Sequence, residues 1–180
     1  MISQSPLQLT LAILKPHVVK SPFALKKIRE IILVNGFKVV CTHRTIISPD
    51  EAEEFYKEHR DKFFYNRLTT FMCSGPSDVH ILANTNAVTK WRQLLGPTKV
   101  FQSQYSAPDS IRGMFGLSDT RNAAHGSDSV ESAEREIGIF LKNFNIKEWY
   151  ENEETYFRIG RLKFDPLLFV HTIDKDAIDT

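Results

Sequence analysis

A chain of 180 residues is long enough for one domain with a substantial core, and 42% apolar with 25% charged residues is the make-up of an ordinary globular protein. Lys and Arg number 23 against 22 Asp and Glu. That balance excludes a general attraction to nucleic acid or to an acidic membrane surface, so any polyanion site has to be local. No apolar run is long enough to span a bilayer. No positive charge precedes Lys15, which argues against a secretory signal, and the N-terminus is poor in Arg, so no transit peptide is visible. Cys41 and Cys73 stand apart, without a C-x-x-C pattern. The expectation is a soluble, intracellular protein in a reducing compartment, with two structural thiols.

Leu7, Leu9, Leu11 and Ile13 alternate with Gln8, Thr10, Ala12 and Leu14, which predicts a strand buried mostly on one face and ended by Pro16. Ser21-Pro22 opens a helix, with serine as cap and proline at the first helical position. Leu25, Ile28 and Ile32 form its stripe and Gly36 closes it. Phe37 to Ile47 is rich in β-branched residues and reads as a second strand. Ser48-Pro49-Asp50-Glu51 has the spacing of a capping box, and the helix behind it carries Ala52, Phe55, Tyr56 and His59. A shorter helix turns Leu68, Phe71 and Met72 inward and stops near Ser74-Gly75-Pro76. Val79 to Ala83 is a third strand, and Val88, Trp91 and Leu95 line a helix that ends at Gly96-Pro97.

Gly96 to Ser110 lacks periodicity and reads as a long loop of the functional or interfacial kind. Met114 to Leu117 reads as a short fourth strand. Val130, Ala133, Ile137 and Leu141 make the stripe of another helix, with Asp128 and Glu131 spaced as its capping box. Past Tyr150 an acidic run, Glu151 to Glu154, leads into a candidate strand from Tyr156 to Phe164 and an irregular tail. The order of elements predicts an α+β fold, a ferredoxin-like α/β sandwich with a four-stranded antiparallel sheet over residues 7–150. Residues 151–180 form a C-terminal extension. It carries Phe157, Ile159, Leu162, Phe164, Leu167, Leu168, Phe169 and Val170, too many apolar groups for a free tail, so part of it should pack on the domain or bind a partner.

The densest chemical signal is Arg121 to Ala133, where His125 stands just before a glycine, a Ser-Asp-Ser cluster and an amphipathic helix. A histidine nucleophile has to be neutral, a condition an ordinary imidazole meets at pH 7. A neighbouring helix N-terminus favours phosphate oxygens, and a carboxylate on the other ring nitrogen fixes the tautomer. Glu131 and Glu136 are both candidates for that carboxylate. Taken alone, the same residues also describe a polar loop histidine ahead of a helix cap.

This segment closely resembles the active-site signature of nucleoside diphosphate kinases, in which the histidine is phosphorylated during turnover. The resemblance runs from about Leu9 to Tyr150. It takes in Lys15-Pro16, Phe55-Tyr56, Phe63-Phe64, Ser74-Gly75-Pro76, Trp91-Arg92, Gly96-Pro97-Thr98 and Ser110-Ile111-Arg112-Gly113. It implies transfer of the terminal phosphate of ATP or another nucleoside triphosphate to a nucleoside diphosphate, by a ping-pong mechanism through phospho-His125. It implies Glu136 as the residue that orients His125, and Tyr56 bonding nearby. Lys15 and Asn122 would bond the sugar hydroxyls, with Lys15 also near the transferring phosphate. Arg92, Thr98 and Arg112 would hold the phosphates, Phe64 would stack on the base and Leu68 would pack beside it. Mg²⁺ would ride on the nucleotide phosphates, with Asp128 reaching it through water.

Four features depart from the common family pattern. His17 stands where the family usually has Asp, and Asp119 where an apolar residue usually flanks the base. The segment from Val100 to Ser110 is longer than in hexameric members, and the chain continues past Tyr150. Together they resemble the divergent type 6 branch, which implies a monomer or dimer in place of the hexamer, a protein partner, and a mitochondrial or cytoplasmic location. Two other readings stay open: a weakly active or inactive nucleotide-binding scaffold acting through a partner, and a protein-histidine phosphodonor.

Overall fold

The structure, a computed structural model, describes residues 5–177; the start of the N-terminal segment read above and the last three residues of the extension lie outside them. β1 (Gln8–Leu14) is followed by the short α1 (Pro16–Val19), α2 (Pro22–Val34) and β2 (Lys38–Thr45). After α3 (Pro49–Phe55), α4 (Tyr65–Met72) and β3 (Ser77–Asn84) come α5 (Ala87–Leu95), α6 (Val100–Ser106) and α7 (Ile111–Phe115). β4 (Ala124–Gly126) then completes a four-stranded antiparallel sheet of order β2-β3-β1-β4. That order, with helices between the strands, is the ferredoxin-like α/β sandwich. α8 (Val130–Phe140) crosses back, and the chain ends in α9 (Ile146–Asn152), α10 (Glu154–Ile159) and a hairpin of β5 (Leu162–Asp165) and β6 (Val170–Ile173).

The predicted starts of two helices are realised by their side chains. Ser21 accepts the Ala24 N–H ahead of Pro22, and Ser48 and Glu51 form a reciprocal capping box ahead of Pro49. β1 differs from the one-faced strand expected. Leu9, Leu11 and Ile13 enter a cluster with Phe55, Met72, Ile137, Phe140 and Trp149. Ala12 and Leu14 enter a second cluster with Ile28, Ile32, Trp91, Leu95 and Phe169. Helices cover the sheet on both sides, so its inner strands are buried on both faces; β3 is buried at all eight positions.

Further differences have local causes. The helix from Pro49 ends at Phe55, before His59, which lies in a separate turn of 3₁₀ helix. Within the expected loop, Val100 and Ser103 turn inward and form α6, whose first N–H is taken by the Asp119 carboxylate at 3.1 Å. Met114 belongs to α7, not to a strand, because Ser110 caps that helix through the Gly113 N–H. The fourth strand is instead the three residues around His125. α8 is capped by Ser129 accepting from Ser132, not by the Asp128–Glu131 pair. The candidate strand from Tyr156 is split by Gly160, whose φ of 77° ends α10 and frees Leu162 to start β5.

The extension packs on the domain. Phe157 joins the first core cluster and Phe169 the second, at 2% and 3% exposure. The Glu154 carboxylate accepts the Leu7 N–H at 2.8 Å. On the edge strand β2, the Val39 N–H donates to Nδ1 of His171 at 2.9 Å and Thr42 Oγ1 donates to the Phe169 carbonyl at 2.6 Å. Leu167 and Leu168, at the turn of the hairpin, remain exposed.

Candidate active site

A cleft of about 450 Å³ opens at the end of the sheet where β1 and β4 meet, and the eleven residues to which the family resemblance gives a role line it: Lys15, Tyr56, Phe64, Leu68, Arg92, Thr98, Arg112, Asn122, His125, Asp128 and Glu136; Glu131, the other candidate carboxylate, does not. They come from nearly every part of the domain. The connections after β1, around α4, α5 and α7, and the start of α8 all converge there.

His125 is the middle residue of β4, paired with Ile13 of β1. Its backbone carbonyl accepts the indole N–H of Trp91 at 3.0 Å. The next residue has to be glycine, since a Cβ at Gly126 would lie 2.6 Å from the Trp91 ring. The imidazole packs edge-on against Phe55, 4.8 Å between centroids. Its Nε2 lies 2.9 Å from the Glu136 carboxylate. The same carboxylate oxygen accepts the Ser127 hydroxyl at 2.6 Å, and Ser127 Oγ in turn accepts the Leu11 N–H at 3.2 Å. Glu136 is 4% exposed, so three elements fix one carboxylate. An ionised carboxylate only accepts, which puts the ring proton on Nε2 and the lone pair on Nδ1. Nδ1 has no hydrogen-bond partner among the described residues, and the imidazole is 22% exposed, toward the cleft.

Ala123, just before the strand, has φ of 76°, a conformation that costs a non-glycine residue roughly 1–2 kcal/mol. It is held by burial and by its carbonyl, which accepts the Lys15 N–H at 3.0 Å. This bond ties the Lys15 end of the cleft to the His125 strand.

Cationic side chains outnumber the carboxylates of Glu58, Asp119, Asp128 and Glu136 in the cleft. Lys15, Arg92, Lys99, Arg112 and Arg135 line it. Lys15 is 4% exposed, and burial with Arg112 nearby brings its ammonium down to about 7. Burial and then Arg92 bring Arg112 down to about 10. The Arg112 guanidinium donates to the carbonyls of Gly96 at 2.8 Å and Ala124 at 3.1 Å, while its Nε is buried without a partner, as is Oδ1 of Asn122. The Arg112 Nε is a buried donor that an anion would complete, and the Asn122 oxygen is an acceptor that a hydroxyl would complete. Burial, with Glu136 nearby, raises the Tyr56 phenol and keeps its proton on.

Phe64 and the exposed Phe63 meet edge to face, 5.3 Å between centroids, and the His59 ring lies 5.7 Å from Phe64. Asp119 lines the cleft as well, and its carboxylate holds the Val100 N–H. No group of three or more His, Cys, Asp or Glu that could hold a metal ion occurs among the described residues. Asp128 does offer an exposed carboxylate, kept low by a Ser132 hydrogen bond and by Arg92. The donor set thus fits a divalent ion that brings its own phosphate ligands, not one caged by protein. Sequence reasoning did not single out Phe55, Ser127 or Trp91. Ser127 sits inside the matched signature, but its partner Glu136 is nine residues away and only α8 brings them together.

The nucleoside diphosphate kinase family model matches residues 8–146. The chain is 47% identical over 171 residues to human nucleoside diphosphate kinase 6, covering 95% of this chain and 92% of that protein. It is 41% identical over 140 residues to human nucleoside diphosphate kinase homolog 5, covering 76% and 65%. Among solved structures it is similar to the nucleoside diphosphate kinase of Aquifex aeolicus, with a TM-score of 0.72 and 36% identity over 79% of this chain and 98% of that one. It is also similar to the Halobacterium salinarum enzyme in complex with CDP, with a TM-score of 0.69 and 33% identity over 78% and 90%.

Proposed function

Because the chain belongs to the nucleoside diphosphate kinase family, on its type 6 branch, we propose that it moves the terminal phosphate of a nucleoside triphosphate to a nucleoside diphosphate through His125. The observation that carries this reading is the Glu136–His125 pair, which leaves Nδ1 as a lone-pair donor in a cleft that Lys15, Arg92 and Arg112 also line. In the first half-reaction the Nδ1 lone pair forms a bond to the γ-phosphorus. The bond from that phosphorus to the β-phosphate oxygen breaks, and the departing diphosphate keeps the electron pair. In the second half-reaction a different diphosphate reverses the step. Glu136 keeps the proton on Nε2 and offsets the charge that develops on the ring.

Phosphoryl transfer is mostly positioning and charge neutralisation. Arg92, Thr98 and Arg112 would hold the phosphates, and Lys15 and Asn122 the sugar hydroxyls, with Lys15 also near the moving group. Tyr56, with its proton retained, would donate near His125. Phe64 would stack on the base with Leu68 beside it. Mg²⁺ carried on the phosphates would supply further charge neutralisation, with Asp128 the carboxylate at that end. The catalytic unit on this reading is residues 7–150, with 151–180 an extension. Initial rates measured against both substrates should give parallel double-reciprocal lines, and His125→Ala should abolish turnover while leaving the fold intact. Intersecting lines would exclude the two-step route.

A second reading, a nucleotide-binding protein that acts through a partner, draws support from Phe101 and Tyr105. They stand one turn apart on α6 and are 82% and 87% exposed.

A further inference from the structure

Lys15 is a buried lysine without an acid. Its Nζ makes one long hydrogen bond, 3.4 Å, to the Thr120 carbonyl, and no carboxylate pairs with it among the described residues. The ionisable groups that act on it or sense it are basic: Arg112 from α7, and His17 on α1, which in turn lies in the field of both Lys15 and Arg121. His17 points its Nε2 at the Phe115 carbonyl, 3.2 Å away, and leaves Nδ1 buried without a partner. Only the long bond to the Thr120 carbonyl holds the ammonium among the described residues, and the buried Arg112 Nε is a donor that an anion could take.

We propose that Lys15 is a carbamylation site, where the amine combines reversibly with carbon dioxide at the floor of the cleft. The Nζ lone pair forms a bond to the carbon of CO₂. One C–O π pair moves onto oxygen, and the nitrogen gives up a proton to solvent. No oxidant is needed and no group leaves. Carbon dioxide is small and uncharged, so a side chain that is 4% exposed can meet it without the desolvation that slows an ionic reagent.

Two properties favour the reaction here over any surface lysine. With its ammonium brought down to about 7, Lys15 is largely the free amine at pH 7.5, and its neutral fraction exceeds that of an ordinary lysine by on the order of several hundredfold. The product is an anion beside Arg112, whose Nε is a buried donor still lacking an acceptor. The consequence for ligands rests on the function proposed above: a carbamate would oppose phosphates in the same cleft, so nucleotide and CO₂ would exclude one another.

The full chain in ¹³C-bicarbonate at pH 7.5 should show a carbamate carbon signal. Trapping with a trialkyloxonium salt, followed by peptide mass spectrometry, should map the adduct to Lys15 at roughly tenfold or more above any other lysine. Lys15→Arg should remove it, and ADP added to the carbamylated wild-type protein should displace it, which serves as the test if the variant folds poorly. A Lys15 peptide that stays untrapped, or is trapped no more than exposed lysines, overturns the proposal. An adduct on Lys15 that ADP leaves untouched upholds the carbamylation and counts instead against nucleotide binding at this cleft.

Discussion

At the scale of single residues, His125 offers one ring nitrogen because Glu136 takes the other, and Glu136 is held in turn by Ser127. Glu136→Ala leaves the imidazole free to rotate and to change tautomer. It should lower the rate of His125 phosphorylation roughly 10²-fold, the scale of a small misplacement of a reacting group, with little change in nucleotide affinity; single-turnover labelling would measure it. Lys15 makes nucleotide affinity depend on pH. In the free protein its ammonium is lost near pH 7, whereas a bound phosphate favours the charged form. Binding should therefore take up protons above about pH 7, and affinity should fall as pH rises through and beyond that value. Calorimetry in CO₂-free buffers of different ionisation enthalpy would detect the uptake, and equal heats in all buffers would contradict it. Phe64 reads no base edge, so Phe64→Ala should weaken purine and pyrimidine nucleotides alike by about 1–3 kcal/mol, measured by titration. Lys15, Tyr56, Phe64, Arg92, Thr98, Arg112, Asn122, His125 and Asp128 were legible because each belongs to a matched motif. The contacts of Phe55 and Trp91 with His125 were not, because apolar residues look alike in sequence until packing assigns them a neighbour.

Among the elements, those with strong end signals were readable: Ser21-Pro22 and Ser48-Pro49 both start helices where their caps say they should. The weak ones were not. β4 has three residues and no alternation, and it exists only because β1 offers a partner edge. α6 buries Val100 and Ser103 alone, too little to show a period. The β5–β6 hairpin depends on long-range contacts that local pattern cannot carry. Phe169 is buried against the Arg29 guanidinium, 4.6 Å from its ring centroid, and near His80. Phe169→Ala should cost roughly 3–5 kcal/mol if the hairpin stays docked and the cavity persists, and less if the hairpin lets go; hydrogen exchange at Val39 would separate the two. Two histidines give the hairpin a pH limit. Burial brings both His80 and His171 down to about 4, while in the unfolded chain they titrate at about 6.5. Between those values the unfolded state binds more protons. The stability contribution is complete above about pH 6.5 and is lost as pH falls toward 4. Melting temperature measured across that window should fall, and His171→Ala should flatten part of the slope.

For the whole molecule, the four-stranded sheet, its two helical layers and the packed extension make a unit whose cleft is assembled from one chain. The exposed Phe101 and Tyr105 on α6 and the occupied edge of β2 are the features that bear on assembly. Sedimentation at micromolar concentration should show a monomer or dimer; a stable hexamer would refute that expectation. No helix among the described residues is long and apolar enough to cross a membrane. The central claim is that His125 carries phosphate between two nucleotides. The purified chain should be incubated with γ-labelled ATP and then chased with GDP or CDP. Label should appear on the protein, acid-labile and base-stable, absent from His125→Ala, and passed to the added diphosphate. A protein that binds ATP yet acquires no label, alone or with cell extract added, would contradict it.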